Sequence, residues 1–284
     1  MRRLRAMRAR VEAEAQRAQE WADRQPPGSL AGVAIGTWRR YEAVDGPRQS
    51  ALLSLYILVA VVPAVLVMEE YLETDPAALA NHMARHYGLS APTASLIHSV
   101  LVQDRTHELG SALLAVAAAL FFGLGFGRVL QHVHARAWGL DLPSRQADQP
   151  RYAVVLLGLF GLILVLLVQL TELAGGPDWT RFALTPGWIA LLVLYFAWSA
   201  RLLMHKLIRW RDLLPGAVLS AAGIVLLMWI SRYVMEFWVN LYARDYGGFG
   251  VVMAIFFWIA FSSAVIVAAA SLGPALAERR AVRG

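Results

Sequence analysis

The chain has 284 residues, of which 58% are apolar and only 16% are charged, well below the roughly 25% of charged residues in soluble domains. It contains no cysteine, which excludes disulfides, iron–sulfur clusters, thiolate zinc sites and cysteine nucleophiles. Its formal net charge is +6, and the positions of the basic residues indicate how the chain is organised.

Residues 1–48 form an Arg-rich N-terminal region. Leu4, Met7 and Val11 recur at helical spacing among arginines, which predicts an amphipathic helix over residues 1–24. A second amphipathic stretch includes Leu30, Val33, Trp38 and Tyr41, and Gly46-Pro47 then turns the chain into the membrane. We expect both stretches to lie on a membrane surface that carries anionic headgroups. Nucleic-acid binding is disfavoured because no aromatic platform accompanies the arginines.

Residues 49–277 contain six runs without Asp, Glu, Lys or Arg. The runs are Gln49–Met68, Leu109–Gly127, Tyr152–Thr171, Phe182–Ala200, Leu213–Ser231 and Tyr246–Ala277. They contain 19 to 32 residues, against the roughly 20 that a membrane-spanning helix needs. Lipid cannot satisfy backbone hydrogen bonds, so each run is expected to be helical. The sequence therefore predicts an all-α, polytopic membrane protein with six transmembrane helices.

The basic residues between the runs predict the orientation. Segments 1–48, 128–151, 201–212 and 278–284 hold 21 of the 26 Lys and Arg residues. If six helices alternate in direction, all 21 lie on one side, which the positive-inside rule places in the cytoplasm. Both termini, including the tail 278–284, are then cytoplasmic.

Segment 69–108, between the first two runs, is predicted to be a helical outer segment. It reads as two short helices separated by Gly88, and it contains four of the seven histidines. His82 and His86 are four residues apart, a spacing that suits a metal ion, but no clear third ligand accompanies them. We assign no metal and no cofactor to the chain.

Residues suited to catalysis are scarce. The chain has one lysine, Lys206, with no Gly-rich phosphate loop before it, and it has no HExxH motif. None of the histidines lies within an apolar run. No catalytic residue is assigned, and an enzymatic function is not expected.

Polar groups at headgroup level are the remaining candidates for binding. Arg128, His132 and Arg136 recur every four residues after the second run, on the predicted cytoplasmic side. Arg232, Glu236 and Asn240 do the same after the fifth run, and they share one face if that helix continues outward. Ionisable groups at this depth are functional candidates, although they also serve as anchors to headgroups.

The entry to the fifth run supplies two more basic candidates, Arg209 and Arg211. Asp212 is expected to cap this helix, Pro215 to occupy its first turn, and Gly216 to permit a close neighbour. The positive end of the helix would attract an anionic headgroup. In other runs, Pro63 predicts a bend, and the pair Gly123 and Gly127 predicts close helix packing.

Several of these segments together resemble the YihY / virulence factor BrkB family of bacterial inner-membrane proteins. They are Arg136-Ala-Trp138-Gly139, Trp210-Arg-Asp-Leu-Leu-Pro215-Gly216-Ala217, Tyr246-Gly247, Trp258 and Pro63, in a chain of six predicted helices. The resemblance covers residues 35–275. Ser50–Tyr56, SALLSLY, replaces an Ala-Tyr-Tyr pattern usual in the family.

The resemblance implies an inner-membrane location and an association with envelope lipid movement. It also brings a ribonuclease label, which the residues do not support, because no carboxylate or histidine cluster suits two-metal phosphodiester cleavage. We therefore expect a transporter or lipid-handling protein without its own ATPase, with anionic membrane lipids as partners. The alternative is a non-transporting scaffold whose outer segment binds an envelope protein.

Overall fold

The computed structural model describes residues 16–17, 20–26, 29–71, 95, 109–142, 146–172 and 178–283, and their regular structure is helical. The helices are α1 (Leu30–Ala43), α2 (Gly46–Tyr71), α3 (Leu109–Ala137), α4 (Gln149–Glu172), α5 (Asp178–Leu203) and α6 (Trp210–Arg283). A short 3-10 helix, Gln146–Asp148, precedes α4. Most of the predicted helix 1–24, nearly all of the predicted outer segment 69–108, and the side chains of 60–71 and Arg232 lie outside the described residues.

Each predicted apolar run lies within a helix. The first four runs fall in α2, α3, α4 and α5, and the last two fall in α6. The fifth run lies before Gly247, and the sixth begins at Tyr246 and therefore includes Gly247. Gly247 has φ 61° and ψ −139°, so it divides α6 into a first arm, 210–246, and a second arm, 248–283. The all-helical fold class is confirmed.

The number of membrane spans differs from the prediction. Three windows within the described residues are long and apolar enough to cross a membrane: Pro186–Leu203, Trp210–Ser231 and Phe249–Arg280. In α2, α3 and α4 the continuous stretches with described side chains are 46–59, 123–137 and 149–162, each shorter than the roughly 20 residues of a span. The described residues thus support three spans, and the six spans of the sequence analysis stay a prediction.

The two arms of α6 form an antiparallel hairpin. A Cβ on Gly216 would lie 2.9 Å from the Ala269 carbonyl oxygen, so the backbones are in close contact near the open end. Further along, the rings of Tyr242 and Phe257 have centroids 6.0 Å apart. At the tip, a Cβ on Gly250 would lie only 1.9 Å from the Tyr242 carbonyl oxygen. The turn therefore depends on glycine both for the positive φ at Gly247 and for the close approach at Gly250.

Helix α1 is a capped amphipathic helix. The Ser29 hydroxyl accepts a hydrogen bond from the Gly32 backbone N–H at 2.9 Å, as an N-cap does. Val33 is buried while Leu30 and Trp38 are exposed, and the helix packs mainly against α6. Helix α2 begins at Gly46, so the turn lies at Val44 and Asp45, where Asp45 has φ 55°, rather than at Gly46-Pro47 as expected.

The main apolar core lies between α2, α3, α4, α5 and the second arm of α6. Its fully buried members include Leu53, Phe126, Val133, Leu156 and Val267. Gly127 allows α4 to approach, because a Cβ there would lie 2.7 Å from the Tyr152 Cα. Gly123 does the same against Leu156. The close packing predicted for this glycine pair is confirmed.

Candidate functional site at the basic end

The N-termini of α4 and α6 meet the C-termini of α1, α3, α5 and α6 at one end of the bundle, here called the basic end. The Arg136 Nε donates to the Ala43 carbonyl oxygen at 3.0 Å, which joins α3 to α1. Arg40 pairs with Glu278, which joins α1 to α6. Arg280 Nη1 lies 3.5 Å from Asp212 Oδ1 and joins the two arms of α6. The described basic segments that the sequence placed on one side are indeed together.

Arg128, His132 and Arg136 form an exposed row on α3. Val129, Val133 and Ala137, about 100° further round the helix, are buried in the core. The predicted common face is therefore present, and it follows directly after the apolar run. Whether this row binds a headgroup stays a prediction.

The helix entry around Arg209 and Arg211 differs in detail from the prediction. Both arginines are exposed, but the helix already begins at Trp210. Asp212 is therefore not the N-cap; it lies within the first turn, where its charge still complements the helix dipole. The prediction of a cap was wrong because Trp210 and Arg211 are helical as well.

Pro215 lies one turn further into α6 than expected. Without an N–H, Pro215 leaves the carbonyl oxygen of Arg211, four residues earlier, without its helical partner. Arg280 Nη1 lies 3.4 Å from that oxygen and donates to it. Gly216 is buried against Ala269, which confirms the predicted close neighbour. The segment 210–217 therefore builds the contact between the start and the end of α6.

Trp138 and Gly139 end α3. Gly139 has φ 65°, the Gly139 N–H donates to the Arg136 carbonyl oxygen, and the Leu140 N–H donates to that of Ala135 at 2.8 Å. This is a Schellman motif with glycine in its favoured position. The Trp138 ring packs beside Gly273 of the second arm.

A narrow cleft lies between α3, α5 and both arms of α6, and the sequence analysis did not anticipate it. Its polar lining consists of His134, Trp138, Asp212 and Ser220. A volume of about 10 Å³ is open to the centre of a water molecule, which is room for roughly one water. Arg128 and Arg136 do not line it, so among the described residues this cleft does not match the groove for an amphiphile that the sequence suggested.

His134 is the titratable base of this cleft. Its Nδ1 donates to the Leu130 carbonyl oxygen at 2.9 Å, which leaves Nε2 as the acceptor. Burial lowers the pKa of His134 below its ordinary value, and the Leu130 hydrogen bond opposes that shift only in part. A neutral imidazole is thus favoured. Its position two residues after the exposed His132 was the available signal, since it places His134 on another face of α3.

A buried polar network ties the ends of three helices together. The Tyr152 hydroxyl of α4 donates to Gln131 Oε1 of α3, and Gln131 Nε2 donates to the Leu203 carbonyl oxygen of α5 at 2.9 Å. Tyr152, Gln131 and Leu203 are all nearly inaccessible to solvent. No sequence motif marked Gln131, because a lone glutamine on an apolar helix gives no indication of its partner.

A pair formed by Asp148 and Arg151 lies next to this network, and Asp148 also contacts His205 in the connection after α5. Asp148 is buried, and its Oδ1 lies 2.5 Å from Arg151 Nη1 and 2.9 Å from His205 Nε2. His205 and Lys206 have φ 55° and 63°, a conformation that non-glycine residues seldom adopt. The contact with Asp148 stabilises His205 in this conformation.

The predicted outer group lies in the first arm of α6. The helix continues through 232–246, so the spacing of Arg232, Glu236 and Asn240 does place them on one side. Glu236 is exposed and Asn240 is half-buried. The pairing of Glu236 with Arg232 stays a prediction, because the Arg232 side chain is outside the description.

The remaining motif residues lie within α2 and α6, away from the basic end. The backbone is helical through Pro63, Tyr246 is exposed beside the turn at Gly247, and Trp258 packs against the Met235–Val239 cluster. The predicted pair His82 and His86 lies outside the described residues. Within the described ranges no group of three His, Asp or Glu side chains could hold a metal ion.

Comparison with known proteins identifies the family. Residues 37–284 match the family model described as virulence factor BrkB. No match was found among proteins of curated function or among solved structures. The family match covers most of the chain, includes every motif residue discussed above, and agrees with the long apolar helices. The chain is therefore a membrane protein that belongs to the virulence factor BrkB family.

Proposed function

We propose that this protein handles a membrane lipid or a similar amphiphile in the bacterial inner membrane, moving or presenting it without an ATPase of its own. In this proposal six helices cross the bilayer, both termini are cytoplasmic, and the basic end lies at the cytoplasmic leaflet. The family and the long apolar helices support the membrane location. The charge bias supports the orientation.

The observation that carries the proposal is the row formed by Arg128, His132 and Arg136. Arg40, Arg151 and Arg280 at the same end are paired with carboxylates. Among the described residues, no carboxylate lies within ion-pair distance of Arg128 or Arg136. Two such cations beside an apolar span attract anionic headgroups, at about 1 kcal/mol each.

Helix α1 supports the same reading. It lies beside this row, since Arg136 reaches its last carbonyl oxygen, and it exposes Leu30 and Trp38. A helix with exposed apolar side chains and nearby arginines suits the boundary between headgroups and acyl chains. The headgroup would then rest on the row while its chains stay among the lipids. A path along the outer surface of the bundle fits better than one through the narrow cleft.

The test uses the purified full-length protein in vesicles of phosphatidylethanolamine and phosphatidylglycerol. We expect enrichment of phosphatidylglycerol around the protein, and faster exchange of fluorescent phosphatidylglycerol between leaflets than in empty vesicles. Arg128→Gln/Arg136→Gln should reduce the anionic selectivity about tenfold or more, since two charges contribute about 2 kcal/mol.

The matched control is Arg48→Gln, an exposed arginine that lies near Asp45 rather than on the row. It should leave selectivity and exchange unchanged. Unchanged selectivity in the double variant would refute the headgroup site. No lipid exchange with the wild-type protein would refute movement and leave presentation. The scaffold alternative rests on the predicted segment 69–108 and stays a prediction from the sequence.

A further inference from the structure

The first arm of α6 is longer than a membrane is thick. It runs from Trp210 to Tyr246 without a break in its helix, which is a length of about 55 Å against a hydrocarbon core of about 30 Å. Its apolar window ends at Ser231, and charged residues follow at 232, 236, 244 and 245. The part 232–246 therefore extends about 22 Å past the end of this apolar window, at the end of the bundle opposite the basic end.

A row of large apolar side chains runs out along this projecting part. Trp229, Tyr233, Phe237 and Leu241, here called the aromatic track, are 62%, 67%, 65% and 43% exposed. A spacing of four keeps them within one side of the helix. The rings of Trp229 and Tyr233 are in contact, with centroids 5.5 Å apart.

The aromatic track is not the face that holds the hairpin together. Met235, Val239 and Ala243 are buried against Val251 and Ala254 of the second arm, and they lie about half a turn round the helix from the track. An ordinary helix outside a membrane would present polar side chains on its remaining surface. Here the surface turned away from the hairpin is aromatic, and apolar patches of this kind mark binding sites.

The track is continuous with the lipid-facing surface of the span. Leu219 and Leu226 are exposed on the same side of the helix within the apolar window, and Trp229 follows them directly. From Trp229 to Leu241 the track is about 18 Å long, close to the roughly 15 Å of acyl chain in one leaflet. The exposed Arg244 ends the track on the same side, with Asp245 as its neighbour round the helix. Arg244 suits an anionic headgroup.

We propose that the aromatic track binds the acyl chain of a membrane lipid outside the bilayer, at the end opposite the basic end. The lipid-facing surface of the span extends along one side of α6, so an acyl chain can move from the leaflet onto the track without crossing a polar gap. The inference rests on the proposed lipid handling and adds a second site, for the chain rather than the headgroup. It also assigns a direction of approach, from the leaflet toward the tip of the hairpin.

The test is photocrosslinking in the full-length protein, in the same vesicles as above. A photoreactive benzoylphenylalanine replaces Phe237 or Leu241 on the track, and Glu236 as the control on the same turn but another face. We expect a lipid adduct by intact mass at positions 237 and 241, and at least fivefold less at position 236. Tyr233→Glu, one turn nearer the membrane, should lower the adduct at 241 at least fivefold.

Every other outcome refutes the proposal that the aromatic track binds an acyl chain. An adduct with a second copy of the chain means a dimer face, and an adduct with another segment of the same chain means an internal cover. Equal lipid adducts at 236 and 237 mean that the whole arm lies in the bilayer, and no adduct at 237 means that the face is solvated. Phosphatidylglycerol enrichment at the basic end, measured in the same vesicles, separates the two proposals. If it persists without a track adduct, only the track fails; if it is also absent, the proposed function fails.

Discussion

Replacing Tyr152 by Phe removes one hydroxyl from the buried network and leaves the rest of the side chain unchanged. The hydroxyl donates to Gln131 Oε1, and both residues are almost fully shielded from solvent. The variant leaves that amide oxygen buried without this donor. Such a loss costs about 1–3 kcal/mol, which corresponds to a fall in Tm of roughly 2–10 °C for a chain of this size.

The cost should depend on Gln131. In a Gln131→Leu background the acceptor is already gone, so the further change Tyr152→Phe should cost much less. The difference, a coupling energy of about 1–2 kcal/mol, isolates the interaction from the rest of the two side chains. Thermal unfolding in detergent, followed by circular dichroism, gives the four values of the cycle.

The matched control is Tyr246→Phe, which removes a hydroxyl from a side chain that is 62% exposed. It should change stability by less than about 0.5 kcal/mol. If Tyr152→Phe is as neutral as this control, or if the two changes at 131 and 152 are additive, the network does not hold α3 and α4 together.

Three further predictions concern other contacts at the basic end. Gly127→Val should destabilise the protein by about 1–3 kcal/mol, because the added atoms meet the Tyr152 backbone; a neutral result in the same unfolding assay would mean that α4 can move away. Lys206→Gly should stabilise by about 0.5–1 kcal/mol, because Lys206 has φ 63°, whereas His205→Gly should give no such gain, since it also removes the contact with Asp148. Because burial lowers the pKa of His134, the unfolded chain binds a proton more readily below about pH 6.5 and stability should fall there; Tm values at pH 5.5 and 7.5 should differ less in His134→Gln than in the wild type.

The helices were predictable from the sequence because lipid and helix geometry leave few alternatives. A run of apolar residues without charge must form a helix in a membrane, so the order and approximate bounds of α2 to α6 followed directly. Gly247 was identified only as part of a motif, yet its positive φ is what separates the two arms of α6. The projecting part 232–246 was harder to predict, because Arg232 and Glu236 end the apolar run without ending the helix.

The arrangement of the site residues was predictable from the sequence only for residues that lie on the same helix. Arg128, His132 and Arg136 share a face by spacing alone, and the structure places them so. The contact of Gln131 with Tyr152, and that of Asp148 with His205, joins residues 21 and 57 positions apart in the chain. No local pattern encodes such pairs, since each depends on which helix ends meet. The same holds for Arg280, whose partner oxygen on Arg211 is left open by Pro215.

The polar residues at the basic end divide into two groups, and the division bears on mechanism. Gln131, Asp148 and Tyr152 are buried and satisfied by neighbours, so they fix the helix ends and have little capacity left for a ligand. Arg128 and Arg136 contribute charge at the surface, where a ligand can reach it. Inside the described bundle few buried polar atoms lack a partner, namely the hydroxyls of Ser263 and Ser271 and the Nε of Arg279. The charged and aromatic groups that a ligand could reach lie on the described surface, basic at one end and aromatic at the other, which is the distribution that an amphiphile in the surrounding lipid can use.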